Sequence, residues 1–368
     1  MKRLLLCILA ISLLLGGCSN LWNGEYHSTR PHEIQSGQDA VGDMSAANYT
    51  ELCNALEKLV SEGITAGVIT VARYNQNQLI SDMNRAIQEV RATDPIAAYA
   101  VEAIKFDAGT NGGKNAVAVS ISYVHDRSEI RKIRRVSDAQ EARTVIGEAL
   151  DTCSSGVVLY FARYEEADFA QMVADYADQS PQTVMEPPVV AVNVYPREGK
   201  ERVVELKFSY KSSRDALRQM QQKVAQLFTS AELYVHAEAT HAEKYALLYA
   251  FLMERGEYTV ETSLTPSYSL LCHNVGDSKA FAVVYAAMCR QVDIPCHVVT
   301  GTRAGEPWYW NLVYDGENYY HVDLLRCSAE NGFQMHTDAE MTGYVWDYSA
   351  YPVCTGEQEW FQTEPAEP

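Results

Sequence analysis

The same pattern of hydrophobic and polar positions occurs twice between residues 47 and 232. Runs rich in β-branched residues span Gly67–Tyr74 and Gly156–Tyr164, and each follows a helical stretch and ends in Ala-Arg-Tyr. Alternation with a period of two predicts strands, and spacing of three to four predicts amphipathic helices. Because the two halves share their pattern, the sequence predicts an internal duplication, with repeat unit 1 at 47–137 and repeat unit 2 at 138–232.

Each repeat unit is predicted to run helix, strand, helix, hairpin, helix. Glycine-containing turns, which tolerate positive φ, lie between strand-like runs at 111–114 and 197–200 and predict the two hairpins. Apolar residues at helical spacing predict amphipathic helices over 77–91, 127–150, 165–177 and 212–228.

A third pattern begins near residue 240, where two helices precede three strands. Helical spacing covers 241–255 and 277–292, and Gly276-Asp277 is typical of a helix start because the first backbone N–H groups need acceptors. Strand-like runs follow at 296–301, 308–314 and 319–323. The chain is therefore predicted to be α+β, with two repeats followed by a helix packed on an antiparallel sheet.

The first residues have the features of a targeting segment. Two basic residues precede an apolar run from Leu4 to Leu15, which is short for a permanent membrane span. The run ends in Leu-Gly-Gly-Cys at Cys18, which resembles a bacterial lipobox. That resemblance implies a signal peptide at 1–17, acylation of Cys18 and extracytoplasmic anchoring to the bacterial cell membrane; an ordinary cleaved signal is the alternative. The polar segment 18–46 is predicted to be a tether.

Charge and cysteine usage narrow the functional classes. The chain has 368 residues and a formal net charge of -18, which argues against nucleic-acid binding because phosphate contacts need clustered Lys and Arg. Seven cysteines follow Cys18 without a Cys-x-x-Cys or His-x-x-x-His pair, so no structural metal and no cofactor are predicted. In an extracytoplasmic setting, Cys327 and Cys354 are the best candidates for a disulfide.

Three short motifs in the third region occur in the order and spacing of a known family. The segment Gly276–Ala282, which reads Gly-Asp-Ser-Lys-Ala-Phe-Ala, is similar to Gly-x-Cys-x-Gly-Tyr-Ala. The segment Trp308–Asn311 is similar to His-Ala-Trp-Asn, and Tyr320–Asp323 keeps the aromatic-His-Val-Asp motif. On these motifs the region resembles the transglutaminase-like superfamily. The resemblance implies a papain-like core, a transglutaminase-like domain at 233–357 and a tail at 358–368.

The resemblance also implies that the catalytic triad is degenerate. The family uses a cysteine, a histidine and an aspartate, and these positions hold Ser278, Trp308 and Asp323. A hydroxyl is a poor nucleophile without a base, and an indole has one N–H donor and no basic nitrogen. No catalytic residue is therefore expected, and the domain is interpreted as a pseudoenzyme that binds a ligand.

The predicted ligand site is aromatic with one polar neighbour. It comprises Trp308, Trp310, Asn311 and Tyr320, and such side chains suit a cell-wall peptide, a glycan or an envelope protein.

An active amidase, protease or transglutaminase is the alternative interpretation. It would use Ser278 or a displaced Cys272 as nucleophile, and its base would be one of the nearby histidines, His273, His297 or His321.

Overall fold

The computed structural model describes residues 44–356, apart from residues 72 and 255. The predicted signal peptide, the lipidation site Cys18, nearly all of the tether and the tail lie outside the described residues. The chain divides into two compact units, one up to Lys132 and the other from Ile133. Within 44–356, no helix combines the length and the apolar character needed to cross a membrane.

The first unit is a four-stranded sheet with helices. The order of strands across the sheet is β1-β2-β4-β3, with β1 parallel to β2 and the other neighbours antiparallel. Its elements are β1 (Met44–Ser45), α1 (Tyr49–Ser61), β2 (Ala66–Thr70), α2 (Gln76–Thr93), α3 (Pro95–Ala100), β3 (Val101–Asn111), β4 (Lys114–Tyr123) and α4 (Arg127–Ile130).

The second unit begins with a sheet of the same topology. Its order is β5-β6-β8-β7, again with the first pair parallel and the others antiparallel. The elements are β5 (Arg134–Val136), α5 (Ala139–Asp151), β6 (Gly156–Phe161), α6 (Phe169–Gln179), β7 (Val189–Tyr195) and β8 (Arg202–Ser209). That the two segments are duplicated copies with boundaries at 47–137 and 138–232 stays a prediction.

The structure corrects two details of the repeat region. The predicted helix over 127–150 is wrong, because α4 ends at Ile130, β5 follows, and Asp138 begins α5 by accepting hydrogen bonds from the amides of Gln140 and Glu141. The apolar spacing continues through the break, so periodicity alone does not reveal it. In addition, β2 ends at Thr70 and β6 at Phe161, so the Arg-Tyr pairs follow the strands rather than ending them.

The rest of the second unit confirms the predicted helix and antiparallel sheet. The sheet order is β13-β12-β11-β14, and all neighbours are antiparallel. The elements are α7 (Arg214–Tyr234), α8 (His241–Met253), β9 (Glu257–Tyr258), α9 (Pro266–His273), β10 (Val275–Gly276), α10 (Ser278–Gln291), β11 (Cys296–Arg303), β12 (Glu306–Tyr314), β13 (Tyr319–Val322), α11 (Leu324–Ala329) and β14 (Tyr344–Trp346).

Helix α10 is the centre of this core. All of its residues from Ala280 to Cys289 are buried, as expected for a helix that is apolar on every side. The Tyr285 hydroxyl donates to the carbonyl of Tyr245 on α8 at 2.8 Å, and the Asn311 amide donates to the carbonyl of Ala282 at 2.9 Å. These contacts fix α10 to a second helix and to β12, so the position of its first residue is fixed too.

The predicted disulfide between Cys327 and Cys354 is wrong, because both thiols are free. They pack in different clusters: Cys327 lies with the residues around α10, and its Sγ contacts Gln334, whereas Cys354 packs with Trp310 and Trp346. Proximity in the loop-rich end of the sequence does not bring their sulfur atoms together.

Candidate functional site

Asp323 is a buried carboxylate that accepts five hydrogen bonds. It begins α11, and its Oδ1 accepts from the amides of Leu325 at 3.0 Å and Arg326 at 3.3 Å. Its Oδ2 accepts from Trp308 Nε1 at 2.8 Å, the Tyr344 hydroxyl at 2.6 Å and an Arg303 guanidinium nitrogen at 3.4 Å. A buried charge is tolerated only when such donors replace water. The carboxylate therefore has no capacity left to orient an imidazole.

Ser278 is the first residue of α10, as the motif predicts. Asp277 is the N-cap and accepts a hydrogen bond from the Ala280 amide at 2.8 Å. The Ser278 side chain is buried, and its Oγ accepts from the backbone amide of Tyr309 at 3.4 Å. Among the described residues, no imidazole hydrogen-bonds this hydroxyl, and a neighbouring imidazole is the base that the family reaction requires.

Trp308, which the motif aligns with the family histidine, lies on β12 and is half-buried. Its indole N–H is directed at Asp323, while its ring lies 5.5 Å from the ring of Tyr258 and 5.2 Å from the Arg303 guanidinium carbon. Tyr258 is largely exposed, so this aromatic pair is open to solvent on one side. We call Tyr258, Arg303 and Trp308 the Trp308 surface.

His321 is committed to a structural pair and does not serve as a base. Its Nδ1 accepts from Trp310 Nε1 at 2.9 Å, and because an indole only donates, the imidazole proton must lie on Nε2. Nε2 donates to Asp338 Oδ1 at 2.8 Å. Burial lowers the pKa of His321 despite the neighbouring carboxylate, which favours the neutral ring.

The other substitute groups are no better placed for catalysis. His273 and His297 are exposed, and the His273 ring packs edge-on against Tyr268. Burial raises the pKa of the Cys272 thiol, which reduces the thiolate that would have to attack an amide.

Three neighbouring side chains are of the types that bind metal ions, but their hydrogen bonds and protonation disfavour a metal. Ligand atoms of His321, Asp338 and Cys354 lie within 4.8 Å of one another. A metal on Nε2 would require the proton to move to Nδ1, where the Trp310 N–H already donates. Burial raises the pKa of the Cys354 thiol to about 12, so the thiolate ligand is also disfavoured. These residues therefore do not fit a metal.

The structure separates the residues predicted to bind a ligand. Trp310, Asn311 and Tyr320 are all less than 5% exposed, so a ligand on the surface reaches none of them; only Trp308 is accessible. Arg303 and Tyr344 were missed as partners of Asp323. They come from β11 and β14, and no local motif signals that either strand brings a donor to this carboxylate.

Comparison with known proteins agrees with this geometry. Residues 229–365 match the transglutaminase-like superfamily, so the chain contains a transglutaminase-like domain. The helix start, the strand with Trp308 and the strand that leads to Asp323 all fall within the matched segment. A comparison with curated proteins gave no match.

Solved structures resemble the chain only distantly. A TGase is 10% identical with a TM-score of 0.25, covering 52% of this chain, which in turn spans 58% of that protein. A candidate cysteine protease from Cytophaga hutchinsonii is 15% identical with a TM-score of 0.25, covering 43% of this chain and 70% of its own. A candidate protease from Parabacteroides distasonis is 9% identical with a TM-score of 0.23, and the match covers 70% of this chain and 39% of that protein. Likenesses at this level say nothing about activity.

The buried histidines should make the fold sensitive to mild acid. Burial lowers the pKa of His321 and of His336 below the ordinary 6.5, so the unfolded chain binds protons that the folded protein does not. The free energy of unfolding therefore keeps the full contribution of these histidines above pH ~6.5. It decreases as the pH falls below that value, by at most about 1.4 kcal/mol per histidine at pH 5.5. Urea unfolding at pH 7.5 and 5.5 should show this loss, and it should shrink in His336→Asn. The exposed His297→Ala is the control and should lose as much stability between pH 7.5 and 5.5 as wild type does. If His336→Asn also loses as much as wild type, His336 is excluded as a source of the acid sensitivity.

Proposed function

We propose that this protein is a membrane-anchored, extracytoplasmic lipoprotein whose transglutaminase-like domain binds a cell-envelope ligand and has no catalytic activity. The hydrogen bond from Trp308 Nε1 to Asp323 Oδ2 carries the proposal. That bond takes the position at which the aspartate of the family triad holds its imidazole, and it leaves the Ser278 hydroxyl without a base.

The missing base and thiolate would account for a large part of the catalytic rate. Positioned acid–base groups contribute roughly 10²–10⁴-fold to a rate, and a serine hydroxyl without a base also lacks the nucleophilicity of a thiolate. The remaining helix N-terminus can polarise a carbonyl, but it supplies no proton transfer. Peptide, glycan or protein binding is the function that such a surface retains.

The Trp308 surface supplies the binding contacts. The exposed Tyr258 ring and the half-buried Trp308 ring can stack on a sugar face or an apolar side chain, and Arg303 places a cation over the Trp308 ring. The next residue along β12, Tyr309, has the Lys279 ammonium 5.7 Å from its ring. An extended ligand with both apolar and acidic groups matches this combination.

One set of variants tests catalytic activity and ligand binding independently. Purified wild type should hydrolyse no peptide amide and cross-link no glutamine substrate, and Ser278→Ala should behave identically. Wild type should co-sediment with purified peptidoglycan sacculi, and Trp308→Ala should reduce that binding at least about tenfold, since aromatic anchors dominate small interfaces. Tyr348→Ala, which removes another exposed aromatic ring, is the matched control and should bind normally. Amide hydrolysis that disappears in Ser278→Ala would establish an enzyme instead.

The anchor has its own test. The lipobox-like sequence before Cys18 supports acylation at that residue, so cells expressing Cys18→Ala should release the protein from their membranes. A variant that stays with the membrane fraction at unchanged mass would rule out the lipid.

A further inference from the structure

The second unit contains a cavity of about 320 Å³ that belongs neither to the Trp308 surface nor to the triad positions. It lies where α6 and the start of β7 face the first turns of α10 and the loop before α9. Pockets that bind small molecules have volumes of roughly 300–1,000 Å³, so this one has room for a ligand of amino-acid size.

Most of the cavity wall is apolar. Val184 and Val283 are buried in the wall, while Val189 and Leu264 line the cavity with 71% and 53% of their surfaces exposed. A bound apolar group would remove this surface from water, which is favourable in proportion to the area covered. The lining therefore favours a ligand that carries an apolar group.

The three carboxylates at the cavity already have partners. Asp277 accepts from the Ala280 amide and, at 2.6 Å, from the Thr262 hydroxyl; Asp178 pairs with Lys279 at 2.8 Å. Glu186 accepts from two backbone amides; burial raises its pKa, but hydrogen bonds from the Ser212 side chain and from the amides of Lys211 and Ser212, together with the Lys211 charge, leave it lowered. None of the three needs a cationic ligand.

Two polar groups in the lining lack such partners. Ser267 is 2% exposed, and its hydroxyl has no hydrogen-bond partner. Lys211 is exposed; its charge helps to lower the pKa of Glu186, but its ammonium lies within ion-pair distance of no carboxylate among the described residues. A buried hydroxyl is nearly always satisfied in a native protein, so an unpartnered one in a cavity wall indicates a missing ligand group.

We propose that this cavity binds a small carboxylate with a branched or aromatic apolar body. The apolar body would lie among Val184, Val283 and Leu264, and the Ser267 hydroxyl would hydrogen-bond a polar atom of the ligand. Lys211 would pair with the carboxylate through a charge-assisted hydrogen bond, which is stronger than a neutral one. The cavity shares only Lys279 with the contacts of the proposed function, and the proposal does not depend on that function.

Calorimetric titration with N-acetyl-L-leucine and N-acetyl-L-leucinamide tests the proposal, because the two probes differ in a single group, which is a charged carboxylate in the first and a neutral amide in the second. Wild type should bind the acid with 1:1 stoichiometry and the amide about tenfold more weakly. Lys211→Gln should remove the preference for the acid, and Ser267→Ala should weaken both probes severalfold. Lys200→Gln, an equal charge change at an exposed position away from the cavity, should match wild type.

Thermal melting should show that each variant is folded, and Trp308→Ala should bind the acid normally even where it no longer binds sacculi. The proposal is overturned if wild type binds neither probe at millimolar concentration. It is equally overturned if Lys211→Gln and Ser267→Ala both bind as wild type does.

Discussion

Replacing Asp323 by alanine should destabilise the second unit by about 3–5 kcal/mol, because it leaves buried donors without their acceptor. The Trp308 N–H, the Tyr344 hydroxyl and the two amides at the start of α11 would all lose a partner. Burial already raises the pKa of Tyr344, so the phenol stays protonated and its O–H would be left without an acceptor. Urea denaturation followed by tryptophan fluorescence measures the loss.

A second N-cap aspartate supplies the control for this experiment. Asp277→Ala removes the cap of α10 and should cost only ~1 kcal/mol, the usual value for a helix cap. Asp323→Asn should fall between the two, since it retains one acceptor oxygen. An Asp323→Ala protein as stable as Asp277→Ala would show that Asp323 acts only as a helix cap.

Replacing Trp310 by alanine should also cost about 3–5 kcal/mol, in this case through a cavity in a packed aromatic cluster. The Trp310 side chain is 1% exposed and packs edge-on against Tyr344 and Trp346 at ring separations of 5.3 Å and 5.8 Å. Its N–H also satisfies the buried Nδ1 of His321. Urea midpoints at constant slope measure the effect.

The matched variants separate packing from hydrogen bonding. Trp310→Phe keeps a ring in the cluster and should lose only about 1–3 kcal/mol, the cost of leaving the imidazole nitrogen unpaired. Tyr348→Ala, at a 61% exposed aromatic position, should leave stability nearly unchanged. Equal midpoints for Trp310→Ala and Trp310→Phe would mean that the indole N–H, not the packing, dominates.

Local rules were sufficient for the elements that hold the triad positions. The polar start at Gly276-Asp277 and the long apolar helix after it predicted α10 to within one residue at each end. The three strand-like runs correspond to β11, β12 and β13, because their β-branched and aromatic residues favour extended backbone wherever they pack. Ser278 therefore begins a helix and Trp308 lies in a strand, as these patterns predicted.

The surroundings of those positions depend on contacts between distant segments, which local patterns do not contain. Strand alternation puts half of the residues of β12 inside but does not say which half. Trp310 and Asn311 are both buried because α10 covers one face of the strand and the cluster around Trp346 covers the other. Arg303 reaches Asp323 from β11, which is separated from β13 by β12 in the sheet, so no spacing rule connects the two residues.

The five donors around Asp323 determine what it would take to build a Cys-His-Asp triad at this site. A mutation of Trp308 to histidine would place an imidazole beside an oxygen that Tyr344 and Arg303 already engage. The new ring would compete with them for one acceptor, so cysteine and histidine at positions 278 and 308 would not be sufficient. Substitutions at 303 and 344 would have to accompany them, so a working triad would require coordinated changes at four positions on separate elements of the domain.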